Sequence, residues 1–318
     1  MPEPHFPSGR VLALCGGIGG AKLALGLYRA MPPEALTLVV NTGDDFRHFG
    51  LAVSPDIDTV TYALAGRANT QTGWGRGEES WRFMDAVREL GGEDWFGLGD
   101  TDLATKAVRT QWLAQGRRLS EATAMIARAL GVGCAVQPAT DDPIPTIVET
   151  DEGDLAFQHY FVRRRWQPAV RGLRYQGAAD AALSPETARA LADPELAAIV
   201  ICPSNPWLSI LPILAVPGLR EALAASPAPV VAVAPLVGAQ AIKGPLAKMM
   251  VELGMEPSLQ NIADAYDGLL DVLIVDEADR HEAVSGPKIV AAPIVMHSLD
   301  DRIAVARAAL AAARAERR

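Results

Sequence analysis

Val11-Leu12-Ala13-Leu14-Cys15 runs directly into Gly16-Gly17-Ile18-Gly19-Gly20-Ala21-Lys22. An unbroken apolar strand followed by four glycines and a helix-forming segment is the usual way a phosphate site is built. Glycine lets backbone N–H groups come close to an anion, and a helix beginning near Ala21 aims the positive end of its dipole at the same place. The spacing separates this turn from two familiar ones. A nucleoside-triphosphate loop needs Gly-Lys-Ser/Thr in succession, but Ala21 divides Gly20 from Lys22 and Leu23 follows. A dinucleotide fingerprint counted from Gly17 meets Lys22 where its third glycine belongs. A tight strand-to-helix turn with no ligand is the competing reading.

The second apolar run, Thr37 to Val40, ends in Asn41-Thr42-Gly43-Asp44-Asp45, where a double acid can grip a ribose or bind a metal. A further acidic element, Ser54-Pro55-Asp56-Ile57-Asp58-Thr59, opens a helix through Ala65. Capping alone explains that pattern, with Ser54 as cap, Pro55 at the first helical position and acids in the first turn. Asp44 and Asp45 on the neighbouring strand favour a functional reading, because several carboxylates beside a phosphate loop repel one another without a cation. Oxygen-only ligands near phosphate suit Mg²⁺.

Other short apolar runs do not alternate either: Ala197–Cys202, Pro229–Ala234, Val272–Val275 and Ile289–Val295. Strands covered on both faces have this character, and the helical patterns between them (Ala21–Met31, Gly218–Ala225, Ala241–Leu253) imply parallel connections. Asp300 to Arg318 has the composition of a closing surface helix. The expected fold is α/β, a Rossmann-like doubly wound, mostly parallel sheet of about six strands. Residues 8–72 and 194–318 form its nucleotide-binding core. Residues 73–193 break the rhythm with charged helical stretches and a hairpin near Thr146–Glu149 and Asp154–Val162, and read as an inserted, mainly helical subdomain. In such a sheet, ligands sit beyond the carboxyl ends of the strands. The segments there are the glycine turn, Asn41–Asp45, Pro203-Ser204-Asn205-Pro206, and Pro235–Gly238 leading to Lys243-Gly244-Pro245.

The 318 residues, 49% hydrophobic, suffice for a large core, and 29 Lys+Arg against 38 Asp+Glu leave a formal charge of −9. That balance argues against nucleic acid or an anionic membrane as partner. Cys15, Cys134 and Cys202 lack Cys-x-x-Cys spacing, so buried free thiols are expected rather than disulfides or a zinc site. Met1 to Gly9 carries three prolines and no apolar segment, so no secretory signal is read there. No apolar stretch approaches the length of about 20 residues that a membrane helix needs. The expected setting is cytoplasmic.

Taken in order, the glycine turn, Asn41–Asp45, Ser54–Thr59, Gly73-Trp74-Gly75, Trp95-Phe96-Gly97-Leu98-Gly99-Asp100, Asp141-Asp142-Pro143, Pro203–Pro206 and Lys243-Gly244-Pro245 resemble the 2-phospho-L-lactate transferase family of deazaflavin coenzyme F(420) biosynthesis. The match extends from about Val11 to Val295. It implies an Mg²⁺-dependent transfer of a phospholactyl-type group from a guanosine diphosphate ester to the ribityl hydroxyl of the deazaflavin Fo, with release of GMP. Holding a diphosphate and aligning a hydroxyl for in-line attack is mainly positioning and charge stabilisation, which the motifs fit.

On this resemblance Asp45 and Asp58 are the catalytic candidates, and Asp45, Asp56 and Asp58 the metal ligands, with Asp44 behind them. Gly17, Gly19, Gly20, Lys22, Ser204, Asn205, Pro206 and Lys243 are the donor-nucleotide candidates. Trp74, Trp95, Asp100 and Thr105 are the acceptor candidates, the inserted segment covering that site. Where the family commonly has His, this sequence has Lys106, and His48 and His159 are the nearest substitutes. Arg163-Arg164-Arg165 is a solvated face or a phosphate clamp. The donor's three-carbon acid is phospholactate, phosphoenolpyruvate or phosphoglycerate, and a homodimer is the default assembly. Two rival functions are a non-catalytic nucleotide-sugar-binding regulator of the gluconeogenesis-factor type and a nicotinamide oxidoreductase. Phe46-Arg47-His48-Phe49-Gly50 after the paired acids speaks against the first, and the missing third glycine against the second.

Overall fold

The computed structural model describes residues 9–238, 240–241 and 244–316. Seven strands make its central sheet: β1 (Arg10–Cys15), β2 (Leu36–Val40), β3 (Ala135–Pro138), β4 (Leu196–Ile201), β5 (Val230–Val233), β6 (Val272–Val275) and β7 (Lys288–Ala291). Their spatial order is β7-β6-β5-β4-β1-β2-β3, and every neighbouring pair is parallel. Apolar side chains on both faces of β1 and β4 are buried, as strands covered by helices on two sides require. The chain leaves β1 toward β2 and β3, then returns to build β4 to β7 on the other side. The carboxyl ends of β1 and β4 therefore flank the point where winding reverses, and a crevice opens there.

The expected doubly wound parallel sheet is present with one strand more than the six apolar runs suggested. The addition is β3, Ala-Val-Gln-Pro, which pairs only with β2 and lacks a continuous apolar run. It comes from within residues 73–193, so that segment contributes to the sheet edge as well as to a cover. The rest of the segment includes the hairpin Thr146–Thr150 with Gly153–Ala156, extended by Val170–Tyr175 into a three-stranded antiparallel sheet.

Five helices position the site: α1 (Gly17–Ala30), α2 (Pro55–Leu64), α3 (Asp100–Ala114), α4 (Leu119–Ala129) and α5 (Leu299–Glu316). Helix α1 begins four residues before the expected Ala21, so three of the four glycines form its first turn rather than a loop ahead of it. Helix α5 is more than a surface helix. It packs on α1 and on β4, β5 and β6, burying Val305, Ala306, Ala309, Leu310, Ala312 and Ala313. The small side chains permit a close crossing, at which Gly26 of α1 lies against the Arg302 carbonyl. Among the described residues no single helix is long and apolar enough to cross a membrane.

A Cβ at position 26 would run into that backbone carbonyl and crowd Ala306. Gly26→Leu is therefore expected to destabilise the chain by at least about 1–3 kcal/mol, the usual range for overpacking. Denaturant unfolding measures this, and an unchanged midpoint contradicts the crossing.

Candidate active site

At the end of β1 the chain turns through Gly16 and enters α1 at Gly17, whose φ of +62° is accessible to glycine at little cost. A helix start leaves its first N–H groups without intrahelical acceptors. Gly16 N–H donates to Ser204 Oγ at 3.1 Å, and Gly17 N–H to Asp56 Oδ1 at 2.7 Å. This leaves the amides of Ile18 and Gly19, both in the wall of the adjoining cavity, to face a ligand. Gly20 is buried on Ser204, where a Cβ would come within 2.5 Å of Oγ. It serves close packing across the β1–β4 crevice. Ser204 Oγ in turn donates to the Gly16 carbonyl at 2.8 Å.

The acids are not helix caps. Ser54 makes no side-chain cap, and its hydroxyl donates to Asp45 Oδ2 at 2.7 Å. Asn41, at the end of β2, donates from Nδ2 to Asp44 Oδ1 and to Asp56 Oδ2, both at 2.9 Å. Burial, reinforced by the charge of Asp56, pushes the Asp44 carboxyl well above its ordinary range. Burial likewise raises Asp45 against the opposing hydrogen bond from Ser54 and the charge of Arg109. It raises Asp56 to about 6, even though Asn41 and the Gly17 amide favour the ionised form.

Asp58 lies beside this group but is used differently. Its oxygens accept from both terminal nitrogens of Arg109, and Lys106 Nζ lies 2.9 Å from Oδ2. Burial opposes ionisation, yet these cations outweigh it and hold the carboxyl below its usual range. Lys106 also pairs with Asp102, which accepts from the Tyr62 hydroxyl at 2.7 Å. The result is a buried network between α2 and α3 in which two carboxylates face two cations. Asp58 contributes to neither cavity wall described below. Both oxygens of Asp58, expected as a metal ligand and catalytic residue, are engaged here by Arg109 and Lys106.

Two cavities adjoin the cluster. The first, of about 340 Å³, is lined by Gly17, Gly19, Lys22, Asp44, Asp56, Ser204 and Asn205, together with apolar groups including Ile18, Trp74, Phe96, Phe157 and Phe161. The second, of about 550 Å³, is lined by Thr42, Asp44, Asp45, Asp141, Thr146 and His159 among others. Asp44, Phe157 and Gln158 belong to both walls, so the cavities meet at that point.

The other sequence candidates occupy distinct places. Lys22 Nζ donates to the Met296 carbonyl at 2.6 Å at the first cavity's edge. Asn205 caps the turn after it, accepting from the amides of Trp207 and Leu208, while Pro206 is buried. Lys243 lies outside the described residues, although Gly244 and Pro245 beside it line the first cavity. Trp95 is in neither wall. It packs edge-on against His159 and His48, with ring centroids 4.6 and 5.2 Å away, and so supports Phe96 and His159, which are in the walls. Arg163 covers the Trp95 ring and pairs with Glu93, whereas Arg164 pairs with Glu152. Burial lowers the His48 pKa. Asp100 accepts from Ser80 Oγ and the amides of Arg82 and Phe83, anchoring that segment to α3. Thr105 is buried beside Tyr62.

Sequence reading missed Arg109, Asn41 as a bridge, and the cavity-lining Phe157, Gln158 and Phe161. Arg109 follows Asp102 and Lys106 at helical spacing, a pattern that resembles a solvated face. Nothing local distinguishes it from one.

A parallel sheet wound in both directions from β1, with a glycine-started helix and a carboxylate cluster at the reversal point, defines a Rossmann-like α/β protein. Within that class, the chain belongs to the family described as 2-phospho-L-lactate transferase CofD, which it matches over residues 11–307. It is 40% identical to a phosphoenolpyruvate transferase of Kitasatospora aureofaciens over 96% of this chain and 98% of the relative. It is also 40% identical to a 2-phospho-L-lactate transferase of Methanopyrus kandleri, over 95% of this chain and 96% of the relative. The fold recurs in the solved structure of protein BH3568 from Bacillus halodurans, with a TM-score of 0.64, 18% identity, and coverage of 96% of this chain and 99% of that one. The resemblance read from the ordered motifs is borne out, and the chain is a transferase of the coenzyme F(420) biosynthesis type.

Two outcomes follow from the charges. Removing one partner of a buried ion pair strands the other, so Arg109→Met is expected to cost about 3–5 kcal/mol in denaturant unfolding. A loss below 1 kcal/mol contradicts the network. Asp56 binds its proton more tightly folded, at about 6, than unfolded, near about 3.9, so its contribution to stability falls as pH rises through that window. Metal-free wild type should gain about 1 kcal/mol relative to Asp56→Asn between pH 7.5 and 5.5, since only the wild type takes up this proton. Parallel stability curves for the two proteins contradict it.

Proposed function

We propose that this chain transfers a phospholactyl-type group from a guanosine diphosphate ester to the ribityl hydroxyl of the deazaflavin Fo. The carrying observation is the meeting of the two cavities at Asp44, Phe157 and Gln158, directly beside the glycine turn. Two substrates can share this joined space and bring their reacting ends to one buried acidic junction. The Ile18 and Gly19 amides and Lys22 are suited to the diphosphate, and Trp74 and Phe96 to the flat face of a ring.

In the reaction the acceptor oxygen bonds to the phosphorus that carries the three-carbon ester. The bridging P–O bond breaks, and GMP leaves with the bridging oxygen. Asp45, whose Oδ1 is buried and has no hydrogen-bond partner, is our candidate for receiving the hydroxyl proton or orienting that hydroxyl. The raised pKa of Asp45 supports that role.

Among the described residues no three His, Cys, Asp or Glu side chains are grouped to hold a metal by themselves. Mg²⁺ commonly uses one or two carboxylates and completes its shell with water and substrate phosphate. The unpartnered Asp45 Oδ1 and the adjacent Asp44 fit such a set, with Asp56 fixed behind them by Asn41 and Gly17. Bound there, Mg²⁺ supplies Lewis-acid polarisation of the diphosphate and offsets the clustered negative charge.

The test combines the protein with a guanosine diphosphate ester of phospholactate or phosphoenolpyruvate, Fo and Mg²⁺. Release of GMP with a phosphorylated deazaflavin is expected, with loss of turnover when Mg²⁺ is chelated. Asp45→Asn should lower kcat by about 10²–10⁴-fold while melting no lower than wild type. Nucleotide binding without product favours the regulator, and undiminished turnover of Asp45→Asn removes this residue from the chemistry.

A further inference from the structure

We propose that Thr42 and Thr146 orient a substrate by binding alcohol groups of a sugar-like chain in the second cavity. This rests on the two-substrate reading above. Among the described residues, nine buried side-chain polar atoms lack a hydrogen-bond partner, and three of them, Thr42 Oγ1, Asp45 Oδ1 and Thr146 Oγ1, belong to residues that line that cavity. None belongs to the wall of the first. Both threonines are almost wholly buried, at 2% and 0% exposure. Buried hydroxyls ordinarily find partners, so three unpartnered oxygens on one wall point to a ligand that supplies them.

The backbone brings these residues together. Asp45 N–H donates to the Thr42 carbonyl at 3.1 Å, closing a turn, and Thr146 N–H donates to the Gly43 carbonyl at 2.7 Å, docking that turn on the strand Thr146–Thr150. Gly43 is required at the contact, because a Cβ there would lie 2.6 Å from Thr146 Oγ1. Several other polar groups in this wall are engaged elsewhere. Ser54 donates to Asp45, Asp141 accepts from Ser120, and Asp142 accepts from the Ala182 amide.

The chemistry of the three oxygens selects the ligand. Each threonine hydroxyl both donates and accepts, whereas a carboxylate only accepts. Alcohol groups also do both, so successive hydroxyls of a polyol match the set. Ionised phosphate does not, because its oxygens only accept and offer nothing to the accepting Asp45 carboxylate. The source of the alcohols is the ribityl chain of the acceptor or the ribose of the donor nucleotide.

Thr42→Val and Thr146→Val remove the hydroxyls at nearly constant volume, and Thr146→Ser restores one. Binding is read by deazaflavin fluorescence for Fo and for a deazaflavin bearing a plain alkyl chain, and by calorimetry for GDP and a deoxyribose analogue. The expected result is a five- to tenfold (about) rise in Kd for Fo in each valine variant, with the alkyl deazaflavin unaffected and Thr146→Ser near wild type. A matching loss for GDP, absent in the deoxyribose analogue, supports the alcohol site and assigns it to the donor ribose. Folded valine variants that bind every probe like wild type overturn the proposal, as does an equal loss for the alkyl deazaflavin. Wild-type protein that binds neither Fo nor GDP overturns the two-substrate reading itself.

Discussion

One carboxamide holds the site together. Asn41 reaches from the end of β2 and donates to Asp44, Asp56 and the Leu208 carbonyl, while its own oxygen accepts from the Gly43 amide. Two carboxylates that repel each other are thereby fixed on a neutral donor, in a place no water-exposed side chain could hold them. Asp56 then passes the constraint on to the Gly17 amide, and Ser204 ties the same glycine turn to the segment after β4. Four pieces of chain are positioned by these few bonds, and the shapes of both cavities depend on them.

Charge is distributed unevenly around that node. Asp58 and Asp102 are matched by Arg109 and Lys106, and this neutral block is rigid scaffolding between α2 and α3. Asp44, Asp45 and Asp56 have no ion-pair partner in contact, and burial outweighs their hydrogen bonds and the more distant charge of Arg109 on Asp45, favouring the protonated forms. The contrast explains why adjacent acids in one helix, Asp56 and Asp58, have opposite electrostatic fates. A cationic ligand or a proton in transit belongs with the uncompensated group. Lys106 is bound up in the neutral block.

Most of the sheet was legible in the sequence because its strands are buried on two faces, and such runs are apolar without alternation. The strand Ala135–Pro138 was not, since an edge strand needs only one paired side and its short Ala-Val-Gln-Pro run carries little apolar signal. That the glycine turn, Asp44, Ser204 and Asn205 would line one cavity was readable because residues after parallel strands converge by topology. Asp58 could not be told from Asp56 by spacing. Which of two acids meets a cation depends on Arg109, 51 residues away in sequence. Trp95 and Asp100 sit in motifs that matched, yet they brace the site from outside the cavity walls, which is a matter of side-chain direction rather than residue type.

The link between Gly16 and Ser204 spans 188 positions of the chain, and the helix that crosses Gly26 comes later still. During synthesis β1 and β2 emerge long before β4 exists to flank them. Loop-closure entropy must be overcome across most of the molecule before the central strand gains its second neighbour. Until then β1 presents an open, apolar edge, the kind of surface that invites intermolecular pairing. Slow maturation and a need for protection of the nascent chain are thus built into the same winding reversal that creates the crevice.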